Sequence, residues 1–246
     1  MDCGRCGAAC PFGITDPRKI GAANQAVCGK CTDKPCAVSC PTKALEVMGY
    51  QVTVDELADK LSRDKVFYDY SGGGVTASGG EALLFPDFLS SLFGLCKKLG
   101  IHTAVESCLN VPEENIRKVL PSTDLFLCDL KHTDTNVFHR FTGGNLRLIT
   151  KNLEILADAK KTVVLRVPVI PGFNADHETL TSICQLAAKL GFTQMNMLKY
   201  HRLGMAKYEQ LGREYPMDMD ALLTENHFAS LVALPEKYGI TATVGG

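Results

Sequence analysis

The chain carries almost no net charge, no apolar leader and no long hydrophobic run, and its opening segment lacks the large apolar side chains a core requires. With 26 Lys and Arg against 27 Asp and Glu the formal net charge is -1. That balance gives no sequence-wide attraction to nucleic acid or to an anionic membrane, so neither is expected as a partner and any partner is recognised locally. Met1-Asp2-Cys3-Gly4-Arg5-Cys6 has no signal-like apolar region, and the most apolar later stretch, Thr162 to Pro171, is short and interrupted by Arg166. A soluble cytoplasmic protein is the expectation. There is no coiled-coil or low-complexity tract. The segment from Met1 to about Met48 is built from Gly, Pro, Cys and short polar residues, so something inorganic must hold it together.

What the sequence does have is enough apolar residue for one full core. At 246 residues, 46% hydrophobic and 22% charged, it fits one sizeable α/β domain with a small appendage. The expected division is residues 1–48 and residues 49–246. Most of the 11 cysteines crowd into the first part. That clustering reads as metal binding in a reducing compartment and not as a disulfide framework.

From Val54 onward, strand-length apolar runs alternate with longer amphipathic stretches, the pattern of βαβ units and a parallel sheet. Helices are predicted near 54–64, 86–99, 112–119, 146–159, 177–190 and 225–238. Strands are predicted near 74–78, 102–107, 125–130, 163–169, 194–198 and 241–244. Pro86 and Pro112 suit early helix positions, and Gly100 and Gly191 suit helix ends. The alternation predicts an (α/β) barrel, complete or partial.

Cys3-x2-Cys6-x3-Cys10-Pro11 and Cys28-x2-Cys31-x4-Cys36-x3-Cys40-Pro41 are two copies of the bacterial ferredoxin run, whose closely spaced thiolates hold [4Fe–4S] clusters. In such pairs the last cysteine of each run ligates the other cluster. Cys28, Cys31, Cys36 and Cys10 are therefore assigned to one cluster, and Cys3, Cys6 and Cys40 to a second. Zinc is the competing reading for any C-x2-C pair. The repeated x3 spacing followed by Pro makes it a distant second. The first run is one cysteine short, and the regular spacing places the missing ligand one position before Met1, so Met1 need not be the parent protein's beginning.

Ser71 to Glu81 ends a strand in a glycine-rich turn that lets a ligand approach the backbone, with Glu81 as an added acceptor. A tight strand-to-helix connection explains the glycines but not the glutamate. Asp129 and Lys131, at i and i+2 after an apolar strand, share a face, at the rim where barrel enzymes place their chemistry. Arg166 lies inside an apolar strand, where a charge is paired or liganded. A structural salt bridge to Asp129 or Glu106 explains it equally well. His201, closing Leu198 to His201, reads either as a site residue or as a capping or surface histidine. Cys96, Cys128 and Cys184 read as small buried hydrophobes, and the role of Cys108 stays open.

Taken together, Gly72 to Glu81, Gly100 to Thr103, Asp129-Leu130-Lys131, Arg166 to Gly172, Tyr200 to Gly204, Lys207-Tyr208 with Leu211-Gly212, and Val244-Gly245-Gly246 resemble the radical S-adenosylmethionine (SAM) activating enzymes of glycyl radical enzymes, the pyruvate formate-lyase activating enzyme among them. The two cysteine runs resemble the ferredoxin insert many of them carry. The resemblance implies a partial (β/α) TIM-like radical SAM barrel lacking its first strand, plus a small ferredoxin-type domain with two [4Fe–4S] clusters. It also implies an anaerobic oxidoreductase that binds S-adenosyl-L-methionine. By resemblance, Gly79, Gly80 and Glu81 meet the cosubstrate's amino group. Asp129, Leu130, Lys131, Arg166 and His201 lie where its carboxylate, ribose or adenine is held. Glu106, Ser107 and Asp129 match a monovalent-cation site, although Asp-Thr often stands where this chain has Glu106-Ser107.

The implied activity uses a reduced cluster to split SAM into methionine and a 5′-deoxyadenosyl radical, which takes a hydrogen from a backbone glycine of the partner enzyme. Flavodoxin or ferredoxin is the implied electron donor. The family's C-x3-C-x2-C motif for the radical cluster is absent. Cys6/Cys10 and Cys36/Cys40 begin correctly, but the third positions are Gly13 and Lys43. No catalytic cysteine is therefore assigned, and the chain alone is expected to be inactive. The readings that follow are an activase truncated at its N-terminus, a non-catalytic homologue that keeps clusters or a partner-binding surface, and an iron–sulfur electron carrier fused to an unrelated barrel. Retention of Glu81, Asp129, Lys131, Arg166 and His201 disfavours the last.

Overall fold

A computed structural model of the chain describes residues 2–17, 22–211, 213–215, 217 and 222–245. Gly212 and Gly246 of the motifs above, and Met1, lie outside the described residues. The chain divides into two compact units, Met1–Gln51 with His201–Met219, and Val52–Tyr200 with Asp220–Gly246.

The larger unit carries a six-stranded parallel sheet, β1 (Gly74–Ala77), β2 (His102–Ser107), β3 (Leu125–Asp129), β4 (Thr162–Val169), β5 (Gln194–Lys199) and β6 (Thr241–Val244), in sequential order. Among the described residues β1 and β6 are its edges. Glycine is required at the first residue of β1, since a Cβ on Gly74 would meet the His102 carbonyl oxygen at 2.0 Å.

Helices fill the connections, as parallel strands demand: α1 (Val54–Ser62), α2 (Lys65–Ser71), α3 (Pro86–Lys98), α4 (Glu113–Val119), α5 (Thr135–Thr142), α6 (Leu146–Asp158), α7 (His177–Lys189) and α8 (Glu225–Val232). Their starts are chemically marked. Thr53 and Glu56 form a reciprocal capping box at α1, a device that contributes about 1 kcal/mol. Asp134, Asn145, Asp176 and Thr224 accept backbone N–H groups at the starts of α5, α6, α7 and α8.

The helix predicted over 225–238 stops at Val232, and a separate 3₁₀ turn runs Pro235–Tyr238. Pro235 has no N–H to continue the ladder, and left-handed Gly239 closes the turn. Among the described residues of this unit, α2 and α5 lie outside the predicted helices. Gly72 and Gly143 end them in the left-handed conformation.

Each strand alternates its side chains, and the two faces of the sheet differ in chemistry. Val105, Phe126, Cys128, Leu165, Val167, Met195 and Met197 are buried in the hydrophobic core, with Leu92, Phe93, Ile116, Leu153, Leu156 and Ile183 from the helices. Cys96, Cys128 and Cys184 belong to that core. Burial pushes the Cys184 thiol up to about 11 and the Cys128 thiol well above its ordinary range. The opposite face carries polar groups at the same strands. Among the described residues no helix is long and apolar enough to cross a membrane.

In the smaller unit, short helices Arg5–Ala8 and Pro35–Val38 start after left-handed Gly4 and Lys34. Each leads into a Cys-Pro turn. The Cys10 carbonyl accepts from Gly13 and the Cys40 carbonyl from Lys43, and both Gly13 and Lys43 have positive φ. The two cysteine runs thus adopt the same local path. Ala22–Gly29 and Met205–Gln210 are its other helices among the described residues.

Candidate functional site

A polar row crosses one face of the sheet, at the C-terminal ends of β3 and β6 and within β4 and β5. Strand register makes Asp129, Arg166, Asn196 and Thr243 successive partners across β3, β4, β5 and β6. In parallel sheets such partners share a face, so four polar side chains form one row. Glu106 pairs in register with Leu127, two residues before Asp129, and stands on the same face. Thr243 donates its hydroxyl to Asn196 Oδ1 at 2.7 Å. Asn196 and Thr243 were not singled out from the sequence; the polar–apolar alternation of Gln194 to Met197 was the available signal.

The charged members are satisfied locally. Arg166 Nη1 pairs with Glu106 Oε1, one of the two partners the sequence offered for it. Ser78 donates its hydroxyl to Glu106 Oε2 at 3.1 Å. Lys131 Nζ lies 2.8 Å from Asp129 Oδ2. Side-chain exposure is 17% for Arg166 and 35% for Glu106, so this is a half-dry pair that solvent screens only in part. Ser107, buried, accepts the Leu109 N–H on Oγ at 2.8 Å. Leu130 is buried in the core, and its N–H donates to the Arg166 carbonyl at 3.0 Å.

The turn after β1 leaves room beside the backbone. Gly79 has φ 124°, a conformation that excludes side chains, and a Cβ on Gly79 or Gly80 would meet nothing within 4 Å. Glu81 caps the following 3₁₀ turn, accepting the Leu83 N–H at 3.1 Å. Its other oxygen accepts from Cys108, from the N–H at 3.0 Å and from the thiol at 3.1 Å. His201 is exposed, accepts the Leu203 N–H on Nδ1 at 3.3 Å and belongs to the smaller unit.

A buried asparagine staples the rim together. Asn174, fully buried, donates to the Lys131 carbonyl at 2.8 Å and the Pro168 carbonyl at 2.7 Å, and accepts the Ile170 N–H at 2.7 Å. It fixes the backbone just beyond β3 and at the end of β4, the segments that carry Lys131 and Arg166. No sequence motif marks it.

In the smaller unit the cysteines sort into two recesses. Cys10, Cys28, Cys31 and Cys36 line one cavity of about 390 Å³, with Pro11, Phe12 and Met48 among its apolar walls. Cys3, Cys6 and Cys40 line another, with Thr42 and Leu45. The backbone N–H of Leu45 and, in smaller measure, the hydroxyl of Thr42 pull the Cys40 thiol below its ordinary range, which favours the thiolate a metal requires. Among the described residues no three Cys, His, Asp or Glu side chains converge on a single ion position. A four-iron cluster asks instead for thiolates spread around a larger body.

These observations test the groups the resemblance implies. The open backbone at Gly79 and Gly80, flanked by carboxylates and cations, suits a zwitterionic cosubstrate. The two sets of cysteines suit cubane clusters. The radical cluster does not fit the residues present. Cys6 and Cys10 line different recesses, as do Cys36 and Cys40, so neither C-x3-C pair converges on one site.

Residues 36–183 match the radical SAM superfamily. The chain is 36% identical to the indoleacetate decarboxylase activating enzyme of Tractidigestivibacter scatoligenes, over 99% of this chain and 80% of that protein. It is 35% identical to the choline trimethylamine-lyase activating enzyme of Oleidesulfovibrio alaskensis, over 99% of this chain and 81% of that one. Among solved structures, a domain of a pyruvate-formate lyase-activating enzyme from Bacteroides vulgatus superposes with a TM-score of 0.60 at 32% identity, covering 71% of this chain and 99% of that one.

Proposed function

We propose, from the premise that this chain belongs to the radical SAM superfamily and within it to the activating enzymes of glycyl radical enzymes, that its sheet binds S-adenosylmethionine at the C-terminal rim in the service of switching on a partner glycyl radical enzyme. The observation that carries this reading is the polar face. Asp129, Arg166, Asn196 and Thr243 form a register row, Glu106 stands beside it, and the glycine turn before Glu81 lies at the same ends of the strands. A sheet that needed only stability would bury apolar side chains on that face too.

The cosubstrate's methionine end carries one ammonium and one carboxylate. Glu81 is assigned the ammonium, with Gly79 and Gly80 leaving space for it. Arg166 is assigned the carboxylate, which requires exchange of its bond to Glu106. Asp129, Lys131 and His201 are assigned to the remaining carboxylate, ribose and adenine contacts, and Leu130 lines their strand. Glu106, Ser107 and Asp129 are the candidate cation ligands. When bound, SAM with a reduced radical cluster supplies the hydrogen-abstracting chemistry. The residues of this chain bind and orient.

We read the cysteine-rich segment, residues 1–48, as a ferredoxin-type domain. Cys10, Cys28, Cys31 and Cys36 serve one cluster, and Cys3, Cys6 and Cys40 serve another; their sorting into two recesses supports this. Residues 49–246 are read as a partial (β/α) barrel lacking its first strand, with β1 exposing the edge where that strand would pair. Flavodoxin or ferredoxin is the proposed donor, in an anaerobic cytoplasm. A second reading, a non-catalytic iron–sulfur homologue that carries electrons or binds the partner, is favoured by one observation. The cysteine pairs that begin like the radical motif are split between recesses, so these residues alone hold no radical cluster.

The test is titration of the reconstituted protein with SAM, for the wild type and for Glu81→Gln. Saturable binding that weakens in the variant is expected. No binding by the wild type would overturn the reading.

A further inference from the structure

Cys108 holds a place that no motif explains. It follows β2 directly, and it supplies two of the three donors that Glu81 accepts. Its N–H and its thiol meet Oε2 at 3.0 and 3.1 Å, while the Leu83 N–H meets Oε1 at 3.1 Å. With one oxygen engaged locally and the other by a residue 27 positions away in sequence, the carboxylate has one orientation.

The turn that presents Cys108 is itself braced. Leu109 adopts φ 57° although it is not glycine, a left-handed conformation that Cβ disfavours. It persists because its N–H is held by Ser107 Oγ at 2.8 Å and its carbonyl by Asn152 Nδ2 at 2.9 Å. Asn152 is fully buried and also donates to the Val111 carbonyl at 2.8 Å. Strain that surrounding contacts enforce tends to mark functional turns.

We propose that Cys108 is a positioning residue for cosubstrate recognition: its amide and thiol fix the Glu81 carboxylate in the orientation that receives the ammonium of S-adenosylmethionine. This rests on the assignment of Glu81 made above. It explains why a half-buried thiol sits on a carboxylate at the rim, where a purely structural cap on the 3₁₀ turn needs only the Leu83 N–H. The thiol's share is separable from the amide's, because substitution at Cys108 leaves the backbone donor in place.

The experiment measures dissociation constants of S-adenosylmethionine and of 5′-methylthioadenosine, which has the adenosine but no ammonium, for the reconstituted wild type, Cys108→Ala and Cys108→Ser. Cys108→Ala is expected to weaken S-adenosylmethionine about three- to tenfold, the scale of one hydrogen bond, and to leave 5′-methylthioadenosine unchanged. Cys108→Ser, which restores a donor, is expected to recover most of the loss. Equal weakening of both ligands, unchanged S-adenosylmethionine affinity in Cys108→Ala, or a serine variant no better than alanine would overturn the proposal. A wild type that binds both ligands equally would refute the role of Glu81. A wild type that binds neither would refute the cosubstrate reading itself, and the proposal with it.

Discussion

Arg166 on β4 reaches across β3 to pair with Glu106 on β2, and the same carboxylate receives the Ser78 hydroxyl from the turn after β1. One ion pair therefore links β2, β4 and the turn after β1. A ligand carboxylate that takes Arg166 must first release Glu106, and released Glu106 then becomes available to a cation.

Arg166→Ala is accordingly expected to weaken S-adenosylmethionine binding by roughly 2–5 kcal/mol, the usual cost of truncating one member of a buried charge pair. The ligand-free thermal midpoint should fall much less, since Glu106 keeps its bond from Ser78 and a path to water. Titration and thermal melting of the same preparation decide it. Unchanged affinity with a collapsed midpoint would make Arg166 a purely structural residue.

Asn174→Ala acts on stability first. It strands the Lys131 and Pro168 carbonyls and the Ile170 N–H, and buried groups left without partners cost about 1–3 kcal/mol apiece before water enters. A loss of about 3 kcal/mol by chemical denaturation is the expected result. A loss under about 0.5 kcal/mol, the size of an ordinary surface change, would mean that the rim does not depend on this staple.

Much of this fold was legible in the sequence because its signals are local. The six strands are short apolar runs, and most of the helices are amphipathic stretches with proline or glycine at their ends. The α5 helix was missed although Asp134 and Gly143 bracket it, because its eight residues give barely two turns of periodicity. The site divides in the same way. Asp129 and Lys131 stood out as charges closing an apolar strand, Arg166 as a charge inside one, and Glu81 as an acceptor after a glycine-rich turn. Asn174 and Asn152 are single polar residues, each with a partner 43 residues away in sequence, and Cys108 meets Glu81 across 27. No window of sequence contains both ends of such a contact. Asn196 and Thr243 become members of a row only when register is known.

Asp124 supplies a pH test of the larger unit. Burial pushes its carboxyl up, but the Lys97 ammonium and the N–H and hydroxyl of Thr103 outweigh that and hold it below the usual carboxylate range. A carboxyl depressed in the folded state contributes stability above its unfolded pKa, and the contribution is lost as pH falls through the folded value. Asp124→Asn should therefore cost roughly 1 kcal/mol near neutral pH, allowing for solvent screening of a partly exposed pair. The gap from wild type should close as the solution is acidified below the carboxylate range. A gap independent of pH would show that shape, and not charge, carries the contribution.

Metal analysis tests the smaller unit. Anaerobically reconstituted protein is expected to hold iron and sulfide, with about four irons bound firmly and up to about eight in all. The cluster served by Cys3, Cys6 and Cys40 should be the labile one, because these residues give it three thiolates. Cys28→Ala should remove the firmly held iron and spare the labile fraction. One zinc per chain without sulfide would replace the ferredoxin assignment with a zinc site.

The decisive measurement is formation of 5′-deoxyadenosine by the reconstituted 246-residue protein under strong reductant, with S-adenosylmethionine binding measured on the same sample. The cosubstrate is expected to bind, since the rim residues are in place. No 5′-deoxyadenosine is expected above a no-protein control, since no three cysteines of this chain form the radical motif. Production above that control would contradict this expectation, and would point to the recess of Cys3, Cys6 and Cys40 as the place where the chemistry occurs.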